Sequence, residues 1–322
     1  MLHIVHHPGY LTPPPPSGQF PASKYHLLMD VLAALPEPQA RHAPDPMPRP
    51  WLEAVHDPAY VAEVLATAVP PAKERRIGFP VTGQVTARAQ LTPGGTWLAA
   101  RLALEHGFAA NTAGGSHHAL FDTGAGYCVF NDLAVAANRL LAEGDARRIL
   151  IVDVDVHQGD GTAALLSGRE DVATYSIHAE KNFPARKSRS TLDVPLADGT
   201  GDHAYLDALA ATLPPLLERF GPDLILYQGG VDPHQDDRLG RLALTDAGLE
   251  ARDRFVAGLA RERGVPLAST PGGGYGPDKA MIARRHAATI RVLHETMHPP
   301  RHGEGDRGRK AVVEGPPAQP AG

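Results

Sequence analysis

The stretch IVDVDVHQGDG, residues 151–161, indicates a buried strand that ends in polar, potentially metal-binding side chains. In an extended strand, alternate side chains share one face, so Asp153, Asp155 and His157 are predicted to point one way and the valines between them the other. Two carboxylates and an imidazole are costly to bury unless a cation compensates their charge, and a divalent metal does so. The alternative is a strand with one solvated face and no ligand.

Outward from this stretch, short apolar runs alternate with longer amphipathic segments. The runs predict strands buried on both faces, at His3–His6, Phe108–Ala113, Arg148–Val156, Val172–Ile177, Leu224–Tyr227 and Pro266–Ser269. The other segments predict helices, at Lys24–Leu35, Pro58–Thr67, Thr96–His106, Asp132–Glu143, His203–Arg219, Thr245–Arg263 and Asp278–Met297. This alternation predicts an α/β fold in which helices flank both faces of a mostly parallel sheet, with the active site at the C-terminal ends of the strands.

The chain reads as one domain with a tail. No linker or internal repeat divides residues 1–298, so a single domain is predicted there. The proline-rich residues 13–16 and residues 36–50 are predicted to be surface loops. Residues 299–322 are polar and rich in glycine and proline, which predicts a disordered C-terminal tail.

Composition argues against several classes of partner. The 322 residues include 31 Lys and Arg against 36 Asp and Glu, and a formal net charge of −5 does not favour direct nucleic-acid binding. No apolar run reaches the roughly 18 residues that a membrane span needs. Cys128 is the single cysteine and has no partner for an internal disulfide, which is typical of the cytoplasm. We therefore predict a cytoplasmic protein without a membrane or nucleic-acid partner, and the oligomeric state stays open.

Two further motifs follow predicted strands, where the loops of a parallel sheet build ligand sites. Residues 114–119, GGSHHA, place His117 and His118 after a glycine turn, and paired imidazoles beside a metal-bound water are suited to carry protons. The alternative is a surface turn with two solvated histidines. Residues 224–234, LILYQGGVDPH, run from a strand to Asp232, which would complete an Asp-His-Asp set of the kind that catalytic zinc uses. By itself, the Asp-Pro pair there is a turn.

The last motif is residues 271–276, PGGGYG, after the predicted strand that ends at Ser269. Its glycines permit a close backbone approach and leave Tyr275 as the functional side chain. A phenol at this place could donate a hydrogen bond to a developing oxyanion. A flexible surface turn is the alternative, and a phosphate-binding P-loop is excluded because no Gly-Lys-Ser/Thr follows.

Together these motifs resemble the zinc-dependent histone deacetylase superfamily of the arginase–deacetylase fold. The resemblance extends to about Met297 and includes residues 20–25 (FPASKY), 55–60 (VHDPAY) and 126–132 (GYCVFND). Residues 91–96 and 236–245 look most like class IV and bacterial class IV-like members. The resemblance implies a lysine deacylase, which is a hydrolase of linear amides that removes acetyl or longer acyl groups.

The resemblance also implies the metal sites. It makes Asp155, His157 and Asp232 the ligands of one zinc ion per chain. Members of the family often hold a monovalent cation, such as K⁺, next to the zinc. The residues that the resemblance assigns to this second, structural ion are Asp153, Asp155, His157, Ser176 and Ile177.

The remaining site residues are likewise carried over from the resemblance. His117 and His118 match the tandem catalytic histidines, with Asp153 and Asp160 as their carboxylate partners. Tyr275 matches the tyrosine that polarises the scissile carbonyl. The residues implied to line the substrate channel are Gly126, Tyr127 and Phe183.

Two departures from the family pattern leave the substrate open. Gln158 stands where many class I members have a second histidine, and residues 185–196, ARKSRSTLDVPL, lack the glycine-rich continuation of class I enzymes. The shape and charge of the channel mouth are therefore not predicted. Acylated lysine in proteins and small acylated amines, including acetylpolyamines, both remain candidate substrates.

Two other functions are weighed against this one. A binuclear manganese ureohydrolase of the same fold would need more carboxylates, but Gly159 and His234 stand at two of the corresponding positions. A non-catalytic module that binds acyl-lysine is the other alternative. The retained histidines, metal ligands and tyrosine argue against it.

Overall fold

The computed structural model describes residues 1–11 and 23–299. The predicted loop at residues 13–16, the first residues of the 20–25 motif and nearly all of the predicted tail lie outside these ranges. The described chain forms one sheet of eight parallel strands, in the order β2-β1-β3-β8-β7-β4-β5-β6. The strands are β1 Leu2–Val5, β2 Gln39–His42, β3 Phe108–Asn111, β4 Ile149–Asp153, β5 Val172–Ala179, β6 Leu192–Leu196, β7 Leu224–Gln228 and β8 Leu267–Thr270.

Helices connect the strands and cover both faces of the sheet. They are α1 Lys24–Ala33, α2 Arg49–Glu53, α3 Pro58–Leu65, α4 Pro71–Ile77, α5 Gly83–His106, α6 Asp132–Glu143, α7 Asp160–Leu165, α8 Asp202–Phe220, α9 Asp246–Glu262 and α10 Lys279–Met297, with a 3-10 turn at Pro8–Tyr10. Within residues 1–11 and 23–299, no helix is both long enough and apolar enough to span a bilayer.

Strand β4 explains why the fold has two apolar layers. Its Leu150 and Val152 pack in one core cluster with residues of α1, α8, α9 and α10. Its Ile149 and Ile151 face the other cluster, with residues of α3, α5 and α6. A strand that is apolar on both faces must be covered on both faces, so the predicted α/β architecture is confirmed.

The prediction missed two edge strands. Residues 36–50 were expected to form a loop, but they contain β2, whose sequence QARH has no large apolar residue. Strand β6 lies at the other edge of the sheet, and its residues are only partly buried. Edge strands bury less surface than central ones, so their sequences carry a weaker apolar signal.

Helix α5 begins at Gly83 rather than at Thr96, where the prediction placed its start. The prediction stopped at the helix-breaking residues Pro93, Gly94 and Gly95, all of which lie inside the helix. A Cβ atom on Gly95 would lie 2.0 Å from the hydroxyl of Tyr10, so tertiary packing requires glycine here despite its poor helix propensity.

Candidate active site

Four central strands place the motifs together at the carboxyl ends of the strands. Strands β3, β8, β7 and β4 are successive neighbours, and because they run parallel their carboxyl ends lie together. The loops that leave these ends contain residues 112–119, 271–276, 229–234 and 154–159. The structure thus brings together motifs that are far apart in the sequence, as expected for a ligand site in a parallel sheet.

Asp155, His157 and Asp232 form a buried group that could hold a metal ion. One ligand atom from each residue lies within 4.8 Å of the others. His157 Nδ1 donates to Asp155 Oδ1 at 3.0 Å and to Asp232 Oδ2 at 3.2 Å. Two carboxylates and one imidazole fit a divalent transition metal and leave coordination positions open.

The predicted strand through Val156 is wrong at its end, because β4 stops at Asp153. Beyond that point, Asp153 Oδ1 accepts from the backbone N–H of Asp155 at 3.1 Å. Asp155 Oδ1 accepts in turn from the backbone N–H of His157 at 3.0 Å. These local side-chain bonds replace the ladder of the sheet and turn the metal-binding residues onto a loop.

Neighbouring groups fix the orientation of both carboxylates. Asp155 Oδ2 accepts from Gln228 Nε2 at 2.9 Å and from the backbone N–H of Gly273 at 2.8 Å. Asp232 Oδ1 accepts from the backbone N–H of Val156 at 2.9 Å. A Cβ atom on Gly273 would lie 2.0 Å from Asp232 Oδ2, so only glycine allows this loop to approach.

The charges of the group are strongly coupled. Burial alone would lower the pKa of His157, but hydrogen bonds to Asp155 and Asp232 outweigh it and raise the pKa to about 10. Burial and the charge of Asp155 raise the pKa of Asp232 to about 7. Two carboxylates therefore hold a proton on the imidazole between them, at the place where a divalent cation would satisfy the same charges.

The tandem histidines have opposite protonation states. His117 Nδ1 donates to Asp153 at 2.6 Å, and His118 Nδ1 donates to Asp160 at 2.6 Å. Burial lowers the pKa of His117, but Asp153 and Asp155 outweigh it and raise the pKa to about 9. Burial and the charge on His117 lower the pKa of His118 to about 4. At neutral pH, His118 can accept a proton and His117 already carries one.

Tyr275 completes the polar wall of the site. Its ring centroid lies 6.3 Å from that of His157. Burial, followed by the charges of Asp155 and Asp232, holds the pKa of its hydroxyl well above the ordinary value. Tyr275 therefore remains a phenol and can donate a hydrogen bond.

A cavity of about 250 Å³ leads from the surface to these residues. Gly126, Tyr127 and Phe183, the predicted channel residues, all line it. The ring of Phe183 stands nearly perpendicular to that of His118, with centroids 4.8 Å apart. A Cβ atom on Gly126 would lie 2.6 Å from His118 Cδ2, so any other residue there would displace the His118 ring or the backbone.

The residues expected around a monovalent cation lie at the ends of β4 and β5. Asp153 pairs with Ser176 in the parallel register of these strands, and Ile177 follows in β5. Asp155 and His157 continue from β4 on the loop described above. The occupant of this place stays a prediction.

Sequence reasoning missed two residues that support the metal-binding loops. The predicted strand ended at Tyr227 and Gln228 was given no role, although a polar residue between a buried run and Gly-Gly was a usable signal. Arg252 is fully buried in α9 and donates through Nη1 to the carbonyl oxygens of Gly230, at 2.8 Å, and Val154, at 3.3 Å. Its charge is balanced by Asp253, 2.8 Å from Nη2. Only the fold brings this helix beneath both loops.

Gln158 occupies the position of the second class I histidine and has a structural role. Its Nε2 donates to Ser188 O and to Asp193 Oδ1, both at 2.8 Å. Its Oε1 accepts from the backbone N–H of Ser188 at 2.9 Å. Gln158 thereby ties the segment after Phe183 to the loop that carries His157.

Two other residues are poorly placed for chemistry. The polar neighbours of His234 at residues 235–237 suggest an exposed side chain, but His234 is buried. Its Nδ1 accepts from the backbone N–H of Asp236 at 3.0 Å, and its Nε2 lies 3.4 Å from Asp246. Within the described ranges, Asp155, His157 and Asp232 form the single group of three potential ligands, which supports one metal. Burial raises the pKa of Cys128, so its sulfur remains a thiol.

The chain is similar to known proteins in sequence and in fold. The histone deacetylase domain model matches residues 19–293. An uncharacterised protein of Picosynechococcus sp. is 44% identical over 294 residues, which cover 91% of this chain and 98% of that protein. A histone deacetylase-like amidohydrolase of Pseudomonas aeruginosa is 32% identical over 287 residues, covering 83% of this chain and 75% of its own. The crystal structure of an acetylpolyamine aminohydrolase from Burkholderia pseudomallei superimposes with a TM-score of 0.75 at 21% identity, over 92% of this chain and 99% of that one, which shows the shared fold.

Proposed function

The chain belongs to the histone deacetylase domain family, and on that premise we propose that it hydrolyses acylated lysine side chains, releasing acetyl or longer acyl groups. The observation that carries the proposal is a buried Asp-His-Asp group at the base of an open channel, beside a neutral histidine and a phenol. The resemblance to class IV members and the cytoplasmic location predicted from the single cysteine stay part of this proposal.

The proposed metal is one zinc ion, held by Asp155, His157 and Asp232. A catalytic zinc ion typically has three protein ligands from histidine and carboxylate side chains and an open position. When bound, the ion supplies a Lewis acid that polarises a carbonyl and lowers the pKa of its water. A K⁺ ion near Asp153 and Ser176 is proposed as a structural partner.

His118 is proposed to move the proton. Its Nδ1–H is held by Asp160, so the other ring nitrogen is free to accept a proton from the attacking water. The water oxygen bonds to the acyl carbon, and the carbon–nitrogen bond then breaks. His118 returns the proton to the amine nitrogen as it leaves, so the products are a free amine and a carboxylic acid, which then releases its own proton to give the carboxylate.

Tyr275 and His117 are proposed to stabilise the charge that develops. The phenol of Tyr275 donates a hydrogen bond to the carbonyl oxygen as that oxygen becomes negative. His117 stays protonated beside Asp153 and contributes positive charge without transferring a proton. Because all these groups are already held in place, little reorganisation accompanies the reaction.

The channel supports an unbranched substrate. Tyr127 and Phe183 form its walls, and Gly126 leaves room for a methylene chain between them. An acylated lysine side chain fits this description, and so does a small acylated amine such as an acetylpolyamine. A hydroxamate on a linear chain is expected to inhibit, because it would present a chelating group at the base of the channel.

Assaying the purified zinc-loaded enzyme against acyl-lysine peptides of several acyl lengths and against acetylpolyamines tests the proposal. We expect release of free amine from the peptides, inhibition by a linear hydroxamate, and no release with Asp155→Ala. Preference for the polyamines would favour the small-amide alternative. Binding of acyl-lysine without turnover would favour a non-catalytic module, and urea release with two manganese ions a ureohydrolase.

A further inference from the structure

The mouth of the channel carries positive charge, although the chain has a formal net charge of −5. Arg76 is the one permanently charged residue among those described as lining the cavity, and no carboxylate lines it. Three other exposed arginines lie within three positions of a lining residue and have no ion pair in the described part of the chain, unlike Arg241, which pairs with Asp198 at 3.1 Å. We call these four residues the basic rim: Arg75, Arg76, Arg186 and Arg238.

The backbone around Arg76 is fixed against the channel wall. The carbonyl oxygen of Arg76 accepts from the backbone N–H of Gly126 at 3.1 Å, and that of Ile77 accepts from Tyr127 at 2.7 Å. The side chain of Arg76 is exposed, and no carboxylate within the described part of the chain lies within 4.0 Å of it. Its charge is therefore available to a substrate that enters between Tyr127 and Phe183.

Arg186 and Arg238 belong to two other segments of the channel wall, those of Phe183 and Leu239. Arg186 follows the channel residue Phe183 in the sequence. Arg238 precedes the lining residue Leu239, and its backbone N–H donates to Tyr275 O at 3.1 Å. Asn182 Nδ2 donates to Leu239 O at 2.6 Å, so these two segments are joined beside the opening.

Nearby carboxylates are engaged by other groups. Asp236 lies 3.1 Å from Arg285, and Asp278 accepts from the backbone N–H of Met281 at 2.8 Å. Glu74 accepts from the backbone N–H of Val81 at 2.7 Å. Asp237 accepts from the backbone N–H groups of Tyr275 at 2.6 Å, Leu239 at 2.8 Å and Gly240 at 2.9 Å. The exposed Glu180 is adjacent in sequence to the exposed Lys181, so these two charges largely offset each other.

Lys279 lies in the same region, because its Nζ donates to the carbonyl oxygen of Gly276, next to Tyr275. Burial lowers the pKa of this lysine, and the charges of Arg238 and Lys24 lower it further. Positive groups therefore reach the Tyr275 side of the channel from both the surface and the interior. A polycation that approached the mouth would meet the same repulsion.

We infer that the basic rim selects acyl-lysine side chains carried by acidic protein segments and disfavours polycationic substrates such as acetylpolyamines. The inference rests on the proposed function and adds the charge of the substrate to it. Each exposed charge pair contributes little, and salt screens it over roughly 10 Å, so the effect acts on substrate capture rather than on the chemical step. Lysine-rich segments are then poor substrates, despite the family's name.

Peptides that share one acetyl-lysine but carry either Asp and Glu or Lys and Arg at the flanking positions test the inference. With the zinc-loaded enzyme at low salt, we expect kcat/KM to be about tenfold higher for the acidic peptide, because two or three weak charge pairs add up. The difference should reside in KM and shrink toward unity as the salt concentration rises. Acetylpolyamines should be cleaved more slowly than a neutral acetylated alkylamine.

Charge reversal makes the test specific to the rim. Arg76→Glu and, separately, Arg238→Glu should each reduce or invert the preference for acidic flanks. Arg219→Glu makes the same charge change at the end of α8, next to the amino ends of the strands and away from the channel. This variant should keep the preference of the unmodified enzyme. If neither peptide is cleaved, the proposed function fails. If both are cleaved with equal kcat/KM, or if both rim variants keep the preference, the function stands and the basic rim inference is overturned.

Discussion

At the base of the channel, His157 and the two carboxylates that accept from its ring are at most 6% exposed, whereas Phe183 at the mouth is 46% exposed. Each carboxylate at the base is also held by backbone or amide N–H groups, but the arginine side chains of the basic rim have no ion-pair partner among the residues described. Buried polar groups tolerate little change because lost partners leave uncompensated charge. Exposed charges are screened and replaceable. The two regions therefore differ in how strongly substitutions should act.

The largest effect is expected from Asp155→Ala, which removes a metal-binding carboxylate from the base. Metal content should fall from near one per chain, and kcat should fall by more than about 10³, since a catalytic metal contributes several kcal/mol. Metal analysis and steady-state kinetics on the same preparation measure both. The matched control is Asp223→Ala, which removes a carboxylate at the amino ends of the strands. That carboxylate accepts from the backbone N–H groups of Arg147 and Arg148. A variant at Asp155 that keeps its metal would contradict the assignment.

The next largest effects are expected from the polar residues that act on the substrate without binding the metal. Tyr275→Phe removes one hydroxyl, so metal content and folding should persist while kcat falls by about 10²–10³. His118→Ala should be at least as damaging, because it removes the group that accepts and returns the proton. His117→Ala should keep more activity, since its role is electrostatic. Near-wild-type kcat at saturating substrate for both Tyr275→Phe and His118→Ala would contradict the mechanism.

A smaller effect is expected beneath the base, where Arg252 supports both metal-binding loops. Replacing Arg252 by Met together with Asp253 by Asn removes the clamp without leaving an unpaired buried charge. Metal affinity should fall about 10–100-fold, as for other groups that position ligands. Competition with a chelator of known affinity measures the metal affinity. The single variant Arg252→Lys keeps a positive charge beside Asp253 and should lose less metal affinity than the double variant. Unchanged metal affinity in a folded double variant would limit Arg252 to a packing role.

The smallest effect concerns Gln158, which joins the two regions. Gln158→Ala removes the hydrogen bonds to Ser188 and Asp193 and loosens the wall that carries Phe183. At roughly 0.5–1.5 kcal/mol per net hydrogen bond, KM should rise about three- to tenfold while kcat changes little. The exposed Gln235→Ala serves as the control. A fall in kcat at constant KM would instead place Gln158 with the base of the channel.

The central strands and the loops that follow them could be predicted from the sequence. The central strands β3, β4, β7 and β8 were recognisable because they are apolar on both faces, and each motif followed such a strand. A parallel sheet brings those loops to one edge, so the convergence of Asp155, His117 and Tyr275 could be expected from the sequence alone.

The supporting residues could not be predicted in this way. Arg252 lies on a helix whose position beneath the loops depends on the packing of α9 against its neighbours. The end of β4 at Asp153 depends on side-chain bonds to the following backbone, which strand patterns do not contain. The charge of the mouth likewise arises from three segments that only the fold places together.

The most direct test of the central claim is a zinc titration of the metal-free enzyme, followed by the rate of free-amine release from an acetyl-lysine peptide. We predict no release without metal, a linear rise with added zinc and a plateau at one equivalent per chain, matching the one group of three potential ligands in the described part of the chain, Asp155, His157 and Asp232. No release at any zinc ratio, or a plateau that requires two equivalents, would contradict the account.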